Sequence, residues 1–367
     1  MAARSLTNHD VRRLRRYCMA AGVITGVCAI CAGFFRPAGF FHAYLFAALA
    51  CLNPAIGCLL LCFIHRMTGG NWGRALWPAL SAGQRLVPWV LLFSLPLFFG
   101  LKHIFPWAAI NGLDEQSRLL LVRHSFYFSR PVFVARAACY AIAFLILLRF
   151  AQRGRSSPWT GPVGMILYVI SAYLLGVDWV ASIEPGWHST GFPVVFMASQ
   201  AVSALALAVA ATVFLGPASD DLDKPALWKN LGNLLLGILM FWAYVAYGEF
   251  LVVWSGNLPD QSAWYLHRNA GGWHYLLLFL AVFQLLIPAL LLLSSRTKRR
   301  TRFFGGLAAG VLACQTVYLY WLILPSFHPR GIGIPWLDAL VLAALGSLAL
   351  FAFLDLAVKT RKEPAHA

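Results

Sequence analysis

The sequence predicts an all-α polytopic membrane protein of about ten transmembrane helices. Three observations predict it. Of the 367 residues, 60% are apolar and only 11% are charged, with a mean hydropathy of +0.71. A water-soluble domain carries about 25% charged residues, so this chain lacks the polar surface a globular fold in water needs. Apolar runs of spanning length then follow one another along the chain. Finally, the basic residues gather in alternate connections between those runs.

A spanning helix needs about 20 mainly apolar residues, and ten segments meet the requirement. Tyr17–Phe35 follows the cluster Arg12, Arg13, Arg15 and Arg16, and reads as a retained first helix rather than a cleaved leader. Phe41–Ile64 lies between Pro37 and Arg66, Leu86–His103 follows Arg85, and Pro131–Leu148 stops at Arg149. Gly161–Trp179 and Val194–Leu215 flank a polar turn, and Leu227–Trp254 starts just after Pro225. Trp273–Leu293 follows a Gly–Gly pair, Phe303–Leu324 follows a basic loop, and Ile334–Ala357 closes the series. Pro, Gly and charge mark the breaks. The organisation expected is a basic N-terminus at 1–16, a membrane domain at 17–357 and a tail at 358–367.

Charge gives the direction. With the N-terminus in the cytoplasm, about 21 of the 29 basic residues fall on the cytoplasmic side and about seven outside, the bias that sets topology in a bacterial-type inner membrane. Both termini are then cytoplasmic. The formal charge of +16 is explained by these loops, and without a basic domain nucleic acid is excluded as a partner. The outer loops carry Trp107, Trp187, Trp254, Trp264 and Trp273 with Tyr127 and Tyr265. These are interfacial anchors or a docking surface for a partner.

Eight cysteines all fall in apolar stretches, where Cys acts as a small hydrophobe. Cys28 and Cys31 form a C-x-x-C that Ala32 follows, not the His of a haem attachment site, and no second pair completes a metal set. No metal site is expected here, so redox metals belong to other subunits.

Ionisable groups within spans are costly and mark function or interhelical pairing. Arg136 lies early in its helix with Tyr140 one turn on, either snorkelling or placing a fixed charge beside a quinone or proton path. Asp178 ends its helix, and Glu184 and His188 follow. Two carboxylates and an imidazole there suit proton acceptance from a quinol, or form a solvated turn. Glu249 is read as deep in its span, sharing a face with Trp242, and suits a proton relay or a neutral interhelical bond. Asp355 with Lys359 reads as a surface pair. Asn53, Gln200, Gln284 and Gln315 recur near mid-depth as interhelical hydrogen-bonding groups, with Pro54 and Pro288 beside two of them.

The run 177–190, VDWVASIEPGWHST, resembles the signature "DW-x-x-S-L-E-P-x-W-x-S-T". That signature belongs to the second quinone-binding membrane protein of alternative complex III, a bacterial quinol:cytochrome c (or oxidase) oxidoreductase. Tyr127–Tyr140 with Arg136, Tyr247–Asn257 with the following Pro259, Trp264–Arg268 and Gln284–Lys298 resemble further motifs of that family. The likeness runs from about Leu86 onward and is most specific at Asp178–Thr190. It departs at Glu249, often Gln in the family, at Gln261, which replaces an acid, and at Gly191, where a larger residue is common.

The resemblance implies the NrfD/polysulfide-reductase-type fold, with helices two to five and six to nine as two four-helix bundles flanked by helices one and ten. It implies a subunit without its own redox centre, inactive alone, that contributes to quinol binding or proton transfer. Its partners would be a related membrane subunit, an iron–sulfur subunit, c-haem subunits and a terminal oxidase. Haem c and iron–sulfur clusters would reside in those partners, and the family's better-defined quinol site in the sister membrane subunit. On that resemblance Asp178, Glu249, Arg136, Trp242, Glu184 and His188 become proton-transfer or quinol-proximal candidates. Trp187, Asn257, Trp264 and Arg268 become partner-docking candidates. The residues alone also fit a secondary transporter or proton channel, or a structural anchor for peripheral redox subunits.

Overall fold

The computed structural model describes residues 6–109, 121, 124–152, 159–187, 189–216, 225–329, 331–332 and 336–360, without the side chains of residues 8 and 260. Among them, ten helices are long and apolar enough to cross a membrane, and no strand occurs. The spans are α1 (Asn8–Phe35), α2 (Pro37–Thr68), α3 (Asn71–Phe99), α4 (Arg130–Gln152), α5 (Thr160–Trp179), α6 (Phe192–Leu215) and α7 (Pro225–Gly256). A short α8 (Pro259–Asn269) precedes the spans α9 (Trp273–Leu293), α10 (Thr301–Ile323) and α11 (Trp336–Thr360).

Two boundaries differ from the sequence expectation. The basic stretch before Tyr17 is helical: Thr7 caps α1 by accepting from the Asp10 N–H while the Asp10 carboxylate accepts from the Thr7 N–H, a reciprocal capping box. The third span begins at Asn71 rather than Leu86, and His103 lies beyond it in the short helix Leu101–Ile104. Its first half carries Arg74 and Arg85 and is too polar for a hydropathy window. Yet it buries Ala75, Leu76, Ala79, Leu80 and Ala82 at helical spacing, packed against α2, α6 and α11. The ends of the chain at residues 1–5 and 361–367 lie outside the described residues.

Within the first half, α2 packs on α3, α4 and α5, and α4 packs on α5. Within the second, α6 packs on α7 and α10, and α9 on α7 and α10. The first and last spans pair with each other, and α11 lies along α2 and α3. Asp355 holds that outer pair at one end: it meets Lys359 at 2.7 Å, as the spacing predicts, and Arg15 of α1 at 2.5 Å.

The two halves join where α2 meets α6. These two are the inner helices, 78% and 83% buried across their apolar windows, against 17% for α1 and α7 and 22% for α9. Lipid tails are as apolar as Leu, so close backbone approach rather than hydrophobic segregation selects the contact. Gly57 makes that approach: a Cβ there would lie 2.1 Å from the Gln200 carbonyl oxygen of α6. Ala198, Ala201, Ala204, Ala206 and Ala208 keep α6 narrow along the same stretch.

In α9, residues Leu280–Leu286 form a π-helical segment. Pro288 explains it, since its ring nitrogen has no N–H to offer the carbonyl of Gln284 four residues earlier. The cysteines divide. Cys18, Cys51, Cys58 and Cys62 are buried as expected, whereas Cys28, Cys31 and Cys139 lie on the outer faces of α1 and α4. Those faces belong to peripheral helices, where an apolar side chain meets lipid rather than protein.

Candidate functional site

The polar side chains singled out in the sequence assemble into two arginine-centred clusters at the same end of the helices, joined by the loop between α5 and α6.

The first cluster closes the end of α5. Asp178 is fully buried and receives Arg136 from α4 as a bidentate pair, Nε to Oδ2 and Nη2 to Oδ1, both at 3.0 Å. The Tyr127 hydroxyl donates to the same carboxylate at 2.9 Å, and the Tyr127 carbonyl accepts from Arg136 Nη1 at 2.9 Å. The guanidinium also lies 3.8 Å from the centre of the Tyr127 ring, a cation–π contact. Arg136 therefore does not snorkel. A buried charge is tolerable only when paired and fully hydrogen-bonded, and this constellation meets both conditions. Burial and the neighbouring Asp178 charge raise the Tyr127 hydroxyl well above its ordinary pKa, so it stays protonated and donates.

One residue on, Trp179 turns its indole N–H to the Tyr140 hydroxyl. Both side chains line a cavity of about 490 Å³ between α2, α3, α4 and α5. Its other walls are Leu, Ala, Pro and Val with Phe98 and Ser94, and it opens on the lipid-facing side at the exposed Leu92, Leu95, Val134 and Leu145. Volume and lining match ordinary small-molecule sites, apolar with a few placed polar groups.

The second cluster gathers around Arg268 of α8, which is almost wholly buried. Its Nη1 donates to Glu184 at 2.9 Å and to the Trp264 carbonyl at 3.1 Å. Its Nη2 donates to the Leu322 carbonyl at 2.7 Å and to Ser326 at 2.9 Å, and Ser326 itself donates to Glu184 at 2.5 Å. The guanidinium lies 3.5 Å from the Trp264 ring centre, and Trp264 stacks on Trp187 at 4.4 Å. Burial lowers the Arg268 pKa to about 10, against which Glu184 works, so the side chain is still cationic at neutral pH. His267 approaches the second Glu184 oxygen at 3.5 Å.

Glu249 belongs to this end as well, a correction to its expected deep position. It lies seven residues before the end of α7, about 10 Å along the helix. The hydroxyl of Tyr265, from α8, donates to its carboxylate. Gly191 makes the room: a Cβ there would come within 3.3 Å of Glu249 Cγ. Trp242 is buried and packs edge-on against Tyr318 at 5.0 Å.

The expected pooling of Asp178 and Glu184 does not occur, because each carboxylate is held by its own arginine. His188 lies outside the described residues. Of the four docking candidates, Trp187, Trp264 and Arg268 are buried inside the chain, spent on stacking and ion pairing, and only Asn257 is exposed. Asn257 ends α7 with φ at 46°, a left-handed turn that Asn adopts more readily than most residues.

Sequence reasoning passes over several partners. Tyr127 and Tyr265 look like interfacial anchors in the sequence, and Ser326 and Tyr318 carry no local signal. Asp338, in the first turn of α11, is buried and receives the Tyr320 hydroxyl at 3.0 Å. Its place inside an apolar span is a visible sign. Among the described residues no group of three or more His, Cys, Asp or Glu is arranged to hold a metal. Compared with models of known families and with curated proteins, the chain finds no match.

Proposed function

We propose that this chain is the membrane subunit of a quinol-oxidising electron-transfer complex of the alternative complex III kind, and that it holds the quinone ring in the cavity between α2 and α5. The observation that supports this reading is the cavity itself: apolar, open to lipid, and ending on Tyr140 and Trp179 with a buried Arg136–Asp178 pair behind them. A quinone arrives dissolved in lipid, so a lipid-side mouth suits it. Its ring is flat and apolar and its two oxygens need hydrogen-bonding partners. The Tyr140 hydroxyl already accepts from Trp179, which leaves its own proton free to be given to a ring oxygen.

Oxidation of a quinol releases two electrons and two protons. In this reading the electrons pass to iron–sulfur and c-haem groups of partner subunits, and this chain positions the ring and offers proton acceptors. Glu249 with Tyr265 is an acceptor at the same end that is not tied to an arginine. The subunit works beside a related membrane subunit and, further on, a terminal oxidase. The loop charges support an orientation with both termini in the cytoplasm of a bacterial inner membrane, which puts both arginine clusters on the outer side.

A photoreactive quinone analogue, applied to the chain purified in mild detergent with whatever subunits accompany it, tests the reading. Labelling is expected on peptides of α3 and α4, and Ala137→Trp, which fills the cavity, is expected to abolish it. Labelling that ignores Ala137→Trp, or that falls elsewhere, refutes the site. Purified material that lacks c-haem and iron–sulfur subunits refutes the complex.

A further inference from the structure

A third group of buried polar side chains, used by neither arginine cluster, lies where the two halves meet. It comprises Asn53 on α2, Ser199 and Ser203 on α6, and Gln315 on α10, each almost entirely enclosed. Asn53 Nδ2 lies 3.0 Å from Ser199 Oγ and 3.2 Å from Ser203 Oγ. Ser199 Oγ lies 2.9 Å from Gln315 Oε1, and Ser203 Oγ 2.8 Å from the Ser199 carbonyl.

In the structure the hydrogen bonds of this group run in one sense. Ser203 gives its proton to a backbone carbonyl, so its oxygen accepts, and the Asn53 amide faces it with N–H. The second Asn53 N–H goes to Ser199, whose own proton goes to Gln315 Oε1. Reversing both amides together only exchanges their roles, so in either sense one free amide end accepts and the other donates. What remains is complementary. Asn53 Oδ1 is an acceptor and Gln315 Nε2 a donor, both buried, and neither has a partner among the described residues. Both amides grip the same Ser199 hydroxyl.

An unpaired buried polar atom is destabilising, because it gives up its bonds to water and gains none in return. Two of them at the seam between the halves, one of each kind, call for a small neutral ligand that both gives and takes hydrogen bonds. The atoms concerned carry no net charge, which argues against an ion. Buried water meets that demand, since one molecule both donates and accepts.

We propose that this junction is a binding site for internal water, which donates to Asn53 Oδ1 and accepts from Gln315 Nε2. The seam between the halves is then wet at this point rather than dry. The proposal stands on the hydrogen-bond geometry alone and does not depend on the quinone reading.

A cryo-microscopy map of the intact chain in lipid nanodiscs, at a resolution that shows ordered water, tests it. A peak within hydrogen-bonding distance of Asn53 Oδ1 and Gln315 Nε2 is expected, and it is expected to vanish in Asn53→Leu while Ser199 keeps Gln315. Should Asn53→Leu fail to fold, Gln315→Met is expected to remove the same peak. A wild-type map that shows other buried waters but none at either atom overturns the proposal. So does a peak that persists unchanged in the variant.

Discussion

Replacing Arg136 by Leu removes the guanidinium and leaves Asp178, which is fully buried, without its counter-charge. Three contacts go at once: the bidentate pair at 3.0 Å, the bond to the Tyr127 carbonyl at 2.9 Å and the cation–π contact at 3.8 Å. The uncompensated carboxylate dominates the outcome, and breaking such a pair costs about 3–5 kcal/mol. The cation–π and carbonyl contacts are part of the same constellation, so their separate worth of about 1 kcal/mol each does not simply add. The informative comparison is with the double variant Arg136→Leu, Asp178→Leu. It removes both charges, so it is expected to recover most of the loss, because replacing a buried pair with apolar groups is close to neutral. The Tyr127 hydroxyl then loses its acceptor, leaving a residual cost of about 1–3 kcal/mol. Thermal unfolding in mild detergent, followed by tryptophan fluorescence, reads the order directly: wild type, then the double variant, then Arg136→Leu as least stable. A double variant no more stable than Arg136→Leu refutes the claim that an unpaired carboxylate is the cost. An Arg136→Leu protein as stable as wild type refutes the burial of the pair.

Arg268→Lys is expected to destabilise the chain by about 2–4 kcal/mol despite the kept charge, because one ammonium cannot reach Glu184, Ser326 and two carbonyls together or stack on Trp264; the same unfolding measurement checks it. Gly57→Ala is expected to cost at least about 1–3 kcal/mol, since its Cβ would fall 2.1 Å from the Gln200 carbonyl oxygen and must force α2 from α6. An unchanged melting temperature would show that the helices do not touch there. His103 and His328 are both held below the ordinary histidine pKa by burial. A depressed basic group is neutral when folded, so the unfolded chain takes up more protons as pH falls below about 6.5. Stability is expected to decline from pH 7 into that range, and His328→Gln to flatten the decline. A parallel curve for the variant would exclude His328 as a contributor.

The spans were legible because lipid imposes a single crude requirement, about 20 apolar residues, that a window detects. Where a span satisfies the requirement only in part, the window fails. Asn71–Arg85 hides its apolar stripe among Arg, Asn and Gln, and its helical spacing against α2 was the available clue. The importance of Arg136, Asp178, Glu184 and Glu249 was equally visible, since ionisable groups in an apolar chain need a reason. Their partners were not. Arg136 and Asp178 are 42 residues apart, and Arg268 and Glu184 are 84 apart, distances over which no periodicity carries information. A local signal did work for Asp355 with Lys359 at one helical turn, whereas the cap formed by Thr7 and Asp10 went unread because the basic run behind it has no apolar pattern. The tryptophans misled for a physical reason. The same ring serves as a membrane anchor or as the flat face under a guanidinium, and only the neighbour across space, Arg268 over Trp264, decides between them.

That pattern of pairing has a mechanical consequence. Asp178 and Glu184 are separated by six positions, yet one is fastened to α4 and the other to α8 and the end of α10. The short loop between them is thus pinned to the first half of the molecule at one end and to the second half at the other. Trp179, next to the first pin, also forms part of the cavity wall and holds Tyr140. The Tyr140 contact therefore sits one residue from Asp178, and the next fastening along the loop is the cluster around Arg268. If the halves moved independently, a bidentate pair at one end of a six-residue tether and a stacked, multiply bonded guanidinium at the other would be wasted constraints. Their strength argues instead that the two halves are fastened to one another at this end of the helices, with one wall of the cavity beside the fastening.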